Sequence, residues 1–274
     1  MQTERFFAEV PSIFPGDPQV TDPIDPRWAE ITEKVDGFTS PNELAMVNLA
    51  ARLLPADEAY LEVGTFKGRS IVAAGADNHD ARMYAIENFM ELCMAGREAR
   101  AELFDNLDRH ADGAKVTLLE GDAFALMGKP GVIDRPVGVY FYDGEHTLLA
   151  HYLALAVVEP LLADEALVLV DDATWPVVQR AHRLFLKNRP GWEIAATWDA
   201  ATNDDPRWAN GLHALVFRRQ PGAAARESRA TAALRRWQTG PQRHLNTAAW
   251  RTAERMPGVA KRAAKLVMSR SRAI

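Results

Sequence analysis

The chain has 274 residues, 47% of them hydrophobic, enough for one large α/β domain with extensions. A formal net charge of −5 argues against nucleic acid as a default partner, so no specific nucleic-acid contact is expected. A lone cysteine, Cys93, excludes an internal disulfide framework and a cysteine-built zinc site. With no secretory signal near Met1 and no apolar run that spans a bilayer, a cytoplasmic location is expected.

Residues 1–37 read as an N-terminal arm or lid. Pro11, Pro15, Pro18, Pro23 and Pro26 make most of it irregular, and Arg27 to Val35 suits a short helix. Ser40 caps a better helix, with Pro41 at its first position and Glu43 three residues after the cap. Strands are then predicted at Ala59–Val63, Arg82–Glu87, Val116–Glu120, Val137–Asp143, Ala166–Asp171, Trp192–Trp198 and Leu212–Arg218. Helices fall near Ser70–Asp77, Phe89–His110, Thr147–Leu162 and Pro176–Asn188. The alternation predicts an α/β fold over residues 38–219: a doubly wound, mostly parallel, seven-stranded Rossmann-like sheet. The fourth and fifth strands are continuously apolar, as central strands covered on both faces should be. Too few residues separate the last two strands for a crossover helix, so they form an antiparallel edge hairpin.

Residues 220–274 differ in kind. Twelve Lys/Arg face two acids there, a balance of +10, which leaves −15 on the rest of the chain. Helix-compatible stretches at Glu227–Trp237, Asn246–Met256 and Val259–Ser269 predict a helical extension. It either packs on the domain or offers a peripheral surface to anionic lipid or an acidic partner.

The segment Tyr60-Leu-Glu-Val-Gly-Thr-Phe-Lys-Gly-Arg-Ser70 reads as strand, tight turn, helix. Gly64 lets a ligand approach the turn, Gly68 lets the helix start pack on the strand, and Ser70 with the first free N–H groups offers donors to a carboxylate. Glu62 would attract an ammonium and repel a phosphate, which suits a ligand with an amino-acid end. The dinucleotide pattern G-x-G-x-x-G is absent, since Phe66 stands where its second glycine would be.

This motif resembles the first motif of class I S-adenosylmethionine (SAM)-dependent methyltransferases, in particular the catechol and macrolide-sugar O-methyltransferases. The likeness runs from about Phe38 to Arg218. It implies that Glu87, at the tip of the second strand, accepts from the ribose hydroxyls, and that Asp122 and Ala123 lie against the adenine. Ser40 stands where catechol-type enzymes contact the cofactor from their N-terminal segment, and it serves equally as a plain helix cap.

Asp143-Gly144-Glu145-His146 and Asp171-Asp172 end the two central strands. Three carboxylates gathered there repel one another unless a cation joins them, and oxygen ligands suit Mg²⁺, Mn²⁺ or Ca²⁺. The resemblance likewise implies a divalent cation on Asp143, Asp171 and Asp172, with Asp143 also beside the methyl donor. His146 and Glu145 are both candidates for the base that takes the acceptor's proton. Trp175 follows closely and either walls the acceptor pocket or belongs to the core. His110, His151, His182 and His244 read as structural. The expected activity is cation-dependent O-methylation of a small hydroxylated acceptor, with homo-oligomerisation left open. The rivals are a metal-independent enzyme of the same fold, a non-catalytic module tethered by its tail, and a nicotinamide oxidoreductase.

Overall fold

Apolar runs that alternate with amphipathic helices leave a sheet with two buried faces, and the chain builds that arrangement. A computed structural model describes residues 1–89, 96–111, 113–187, 189–222 and 226–245. The strands are β1 (Ala59–Val63), β2 (Arg82–Glu87), β3 (Lys115–Glu120), β4 (Val137–Tyr142), β5 (Leu162–Val170), β6 (Trp192–Trp198) and β7 (Leu212–Arg218). They form one sheet in the order β3-β2-β1-β4-β5-β7-β6. The first five run parallel, while β7 lies antiparallel to both β5 and β6. The reversed strand thus sits inside the edge, and β6 is the edge itself.

Helices cover both faces. On one lie α1 (Thr3–Glu9), α2 (Arg27–Lys34), α3 (Pro41–Arg52), α4 (Arg69–Gly75) and α5 (Gly96–His110). On the other lie α6 (Ala123–Met127), α7 (Leu148–Val158) and α8 (Pro176–Leu186). Strand alternation divides the two cores: Tyr60 joins the first, Leu61 and Val63 the second. Both central strands are buried along their length, apart from Asp164 and Glu165 of β5. Residues 90–95, including Cys93 and most of the predicted lead-in to α5, lie outside the described residues, as do the predicted tail helices after Leu245.

The N-terminal arm is more ordered than its prolines imply. Phe6 and Val10, one helical turn apart, are buried with Phe14 and Trp28 in the first core. Burial of those side chains outweighs the breaks that the prolines impose. The arm also anchors the loop between β6 and β7: Trp208 is buried, stacks on Trp198 with ring centroids 5.3 Å apart, and donates to the Pro18 carbonyl. Within the predicted basic extension, α9 (Arg229–Trp237) is capped by Ser228 and packs against α6 and α7.

Gly64 ends β1 with φ of +91°, and a Cβ there would lie 1.8 Å from the Asp143 carbonyl oxygen. The glycine is required by the chain itself, whatever ligand also passes over it. Gly64→Ala is therefore expected to destabilise the fold without any ligand present. The left-handed backbone alone costs about 1–3 kcal/mol, and the clash adds to it. Denaturant unfolding of the variant measures the loss; a midpoint equal to wild type would show that the strand tips separate freely.

Candidate functional site

The carboxyl ends of β1, β2, β4 and β5 converge on a cavity of about 370 Å³. The turn after β1 supplies Gly64 and Phe66, β2 supplies Glu87, and the loops after β3 and β4 supply Asp122, Ala123, Gly144, Glu145 and His146. Asp143, Asp171, Asp172 and Trp175 complete the central wall, and Asp204 and Asn210 reach in from the β6–β7 loop. Phe38, 69% exposed, stacks on Phe66 at the mouth.

Glu87 is fixed by backbone donors. Its Oε2 accepts from the Phe66 N–H (2.8 Å) and its Oε1 from Asn88 (2.7 Å) and Phe89 (2.8 Å). The carboxylate is thus held at the cavity wall in one orientation, with lone pairs left for a ligand. Asp122 caps α6 through the Ala125 N–H (2.9 Å) and keeps a second oxygen near Arg243 (3.5 Å).

Glu62, Gly68, Ser70 and Ser40 do not line this cavity. Glu62 is fully buried and accepts from the Tyr60 hydroxyl (2.9 Å) and the Ser70 hydroxyl (2.8 Å). Burial raises its pKa to about 7, against the pull of those donors. Gly68 has φ of +93°, and a Cβ there would meet Leu103 at 2.6 Å, so it sets the approach of α5. Ser40 completes a capping box with Glu43 and donates to the Arg207 carbonyl (2.6 Å).

The acids after β4 and β5 divide into two groups. Asp143, His146 and Asp172 bring a ligand atom each to within 4.8 Å of one another. His146 Nε2 stands at ion-pair distance from Asp172 (2.5 Å) and farther from Asp143 (3.7 Å). Burial favours the neutral ring, but the two carboxylates outweigh it and raise the His146 pKa to about 10. Burial likewise raises Asp143 to about 6 despite the imidazolium. Asp171 lines the cavity too, but its Oδ1 accepts from the Asp172 N–H (2.7 Å) and its carboxyl interacts with Glu43. Burial raises both members of that pair, Glu43 to about 7, and their mutual repulsion pushes Asp171 higher still.

Three contributors were not legible as site residues. Glu43 reads as a capping acid, yet it also faces Asp171. Asn210 donates to Asp172 Oδ1 (2.8 Å) across 38 positions, a pairing that only the return of β7 beside β5 creates. His213 lies behind the site, its Nδ1 2.8 Å from that of His182, in a buried row that continues through His151 to the ring of His146. Trp175 packs edge-on against His146, 5.2 Å between centroids, and walls the cavity.

Residues 61–173 match the family model described as a methyltransferase domain. The strand order and the cavity at the strand ends are those of the class I methyltransferase fold. Among solved structures, the chain is similar to the O-methyltransferase of Bacillus cereus in complex with SAH, the demethylated cofactor. That pair has TM-score 0.54 and 15% identity, covering 76% of this chain and 100% of that one. It is also similar to an SAH-bound methyltransferase of Podospora anserina (TM-score 0.50, 15% identity, 80% and 95% covered). A protein of Klebsiella pneumoniae assigned to the O-methyltransferases aligns with TM-score 0.52 and 19% identity, covering 79% and 97%. At these identities the likeness is one of fold. No curated protein matches the sequence significantly. No helix among the described residues is long and apolar enough to cross a membrane.

The buried Glu62 carboxyl has a testable consequence. Because folding raises its pKa, its contribution to stability is full at pH below about 4.5 and is lost as pH rises through about 7. Glu62→Gln keeps the shape and removes that titration, so the variant's melting temperature should fall less than wild type's between pH 5 and 8. The difference corresponds to at most about 3 kcal/mol. Parallel melting curves for the two proteins across that range would contradict the assignment.

Proposed function

We propose that the chain transfers the methyl group of SAM to a hydroxyl of a small acceptor, with a divalent cation at the acid–imidazole cluster. The observation that carries this reading is that one cavity holds both the Glu87–Asp122 wall and the Asp143–His146–Asp172 cluster. Glu87 and Asp122 would hold the cofactor at one end of the cavity and leave the end at Asp143, His146 and Asp172 to the acceptor. The donor set fits such a cation: the carboxylates suit Mg²⁺ or Mn²⁺, and the imidazole favours the transition ions. When bound, the ion would supply Lewis acidity that lowers the acceptor hydroxyl's pKa.

The chain's own residues have separate tasks. Glu87 accepts from the ribose hydroxyls, and Asp122 with Ala123 lies beside the adenine. Phe38, Phe66, Phe89 and Trp175 exclude water from the transfer path. Without an ion, the two carboxylates beside His146 favour its protonated form, and an ion on the cluster would need the ring neutral and bound. In either state proton acceptance from the hydroxyl falls to Glu145, and His146 serves as base only when neutral and free of the ion. The cavity also argues against a dinucleotide. Seven carboxylates and no Lys or Arg are among its described lining residues, a field that repels a pyrophosphate.

A second reading draws on the same cluster. The His146 imidazolium already offsets the Asp143 and Asp172 charges, as a metal-independent enzyme of this fold would need.

Calorimetry is expected to show SAM and SAH binding and no binding of NAD. Glu87→Ala should weaken SAH by about 1.5–3 kcal/mol, the worth of hydrogen bonds to a charged group. An unchanged affinity would remove the ribose assignment. Across a panel of hydroxylated acceptors, chelator should stop methyl transfer, and Mg²⁺ or Mn²⁺ should restore it. Asp172→Asn should reduce transfer far more than SAH affinity. Full turnover in chelator would select the metal-independent reading.

A further inference from the structure

The segment beyond the sheet reaches into the cavity wall. After α9, the chain continues as a helical stretch over Gln238–Gln242, whose first residue, the polar Gln238, is 3% exposed. Its carboxamide nitrogen donates to Glu145 Oε2 at 2.6 Å, spanning 93 positions of sequence. Burying a carboxamide costs free energy where its groups go unpaired; the Gln238 oxygen has no partner among the described residues, and the Glu145 carboxylate is what its nitrogen gains. The same segment is fastened on both sides of that contact. Arg235 forms two hydrogen bonds with Glu227 (2.7 and 2.8 Å) and lies over Gly128, where a Cβ would meet its guanidinium at 2.4 Å. Beyond Gln238, Arg243 approaches Asp122, a further acid that lines the cavity.

We infer that Gln238 is a positioning residue of the active site: it holds the Glu145 carboxylate at the cavity wall, so that residues 226–245 complete a site built otherwise by the sheet domain. Three consequences follow from the geometry. The extension is a working part of the enzyme rather than a separable tail. The loop after β4, which also carries Gly144 and His146, is held from two sides, by Gln238 on the Glu145 side chain and by the Tyr142 hydroxyl on the Glu145 carbonyl (3.1 Å). A hydrogen bond that a carboxylate accepts is also among the stronger ties available. The inference rests on the methyl-transfer reading for what the site does, and on the Gln238–Glu145 contact alone for how it is held.

Hydrogen exchange on the full chain, read on peptides covering Gly144–Ala150, tests the tie without any ligand. Gln238→Ala should speed exchange there about tenfold, the equivalent of one hydrogen bond to a charged group. Gln238→Glu, which sets two carboxylates face to face, should do so more strongly. Combining Gln238→Glu with Glu145→Gln exchanges donor and acceptor and should restore the slow rate. Calorimetry with SAH supplies the second arm: Gln238→Ala should raise Kd about three- to tenfold. Unchanged exchange in Gln238→Ala, or no recovery in the swapped pair, overturns the inference. Faster exchange with an unchanged SAH affinity also overturns it, by reducing Gln238 to a tie within the fold. Failure of wild type to bind SAH would count against the methyl-transfer reading, and the exchange arm would still decide whether Gln238 positions Glu145.

Discussion

The molecule is organised around two strand tips that meet at the middle of its sheet. β1 and β4 are neighbours in space but distant in sequence, and the helices that follow them leave to opposite faces. A crevice opens where the chain parts in this way, which is why open parallel sheets bind ligands at such a point. Here the parting is tight. The Asp143 N–H donates to the Val63 carbonyl (2.9 Å), and the Gly64 N–H donates to Ile86 (3.0 Å), so the ladder continues past both strand ends. That closeness leaves no room for a side chain at position 64, and it delivers Asp143 beside the glycine turn.

Burial of acids is the second constraint, and the chain meets it in different ways. An ionised carboxylate away from water is costly unless it is hydrogen-bonded, shares a proton or faces a cation. Glu87 takes the first route through three backbone N–H groups. Glu43 and Asp171 take the second, their carboxyls raised by burial so that the pair retains a proton near neutrality. Asp143 and Asp172 take the third through His146. These solutions differ in what they leave available. Backbone donors fix the Glu87 carboxyl group in one orientation, with lone pairs left to accept from hydroxyls. The imidazole ties Asp143 and Asp172 to each other through one side chain.

Much of the fold was legible because it follows from local pattern. Four of the strands, including the edge pair β6 and β7, have the ends that alternation and turn residues predict, and the glycine turn marks the first crossover. What escaped the sequence depends on long-range packing. The pairing of β7 between β5 and β6 brings Asn210 to Asp172 and His213 to His182, and no local spacing encodes either contact. The arm shows the opposite error of weighting. Prolines carry a strong local signal for irregular chain, while Phe6, Val10 and Phe14 gain more from burial than the breaks cost. Asp171 and Asp172 are adjacent in sequence and indistinguishable there. Only the backbone direction at the strand end turns one toward Glu43 and the other toward His146.

That backbone direction belongs to a wider pattern of strain. Among the described residues, six that are not glycine have φ clearly in the left-handed region, and five of them line the cavity: Phe66, Phe89, Asp172, Asp204 and Ala209. Each such residue costs of order 1–3 kcal/mol unless its surroundings enforce it, so their gathering at one place is not a general looseness of loops. The enforcing contacts are visible. Phe66 and Phe89 are held by their own N–H groups on Glu87, which makes one carboxylate the organiser of two strained turns. Asp172 is held by its N–H on Asp171 and by Asn210 on its side chain. Ala209 follows Trp208, whose stacking on Trp198 fixes the loop against the arm. Packing remote from the cavity thereby holds backbone conformations at its rim that the local sequence would not choose. The rim is accordingly shaped before any ligand arrives, and the binding energy of a cofactor need not be spent on ordering it.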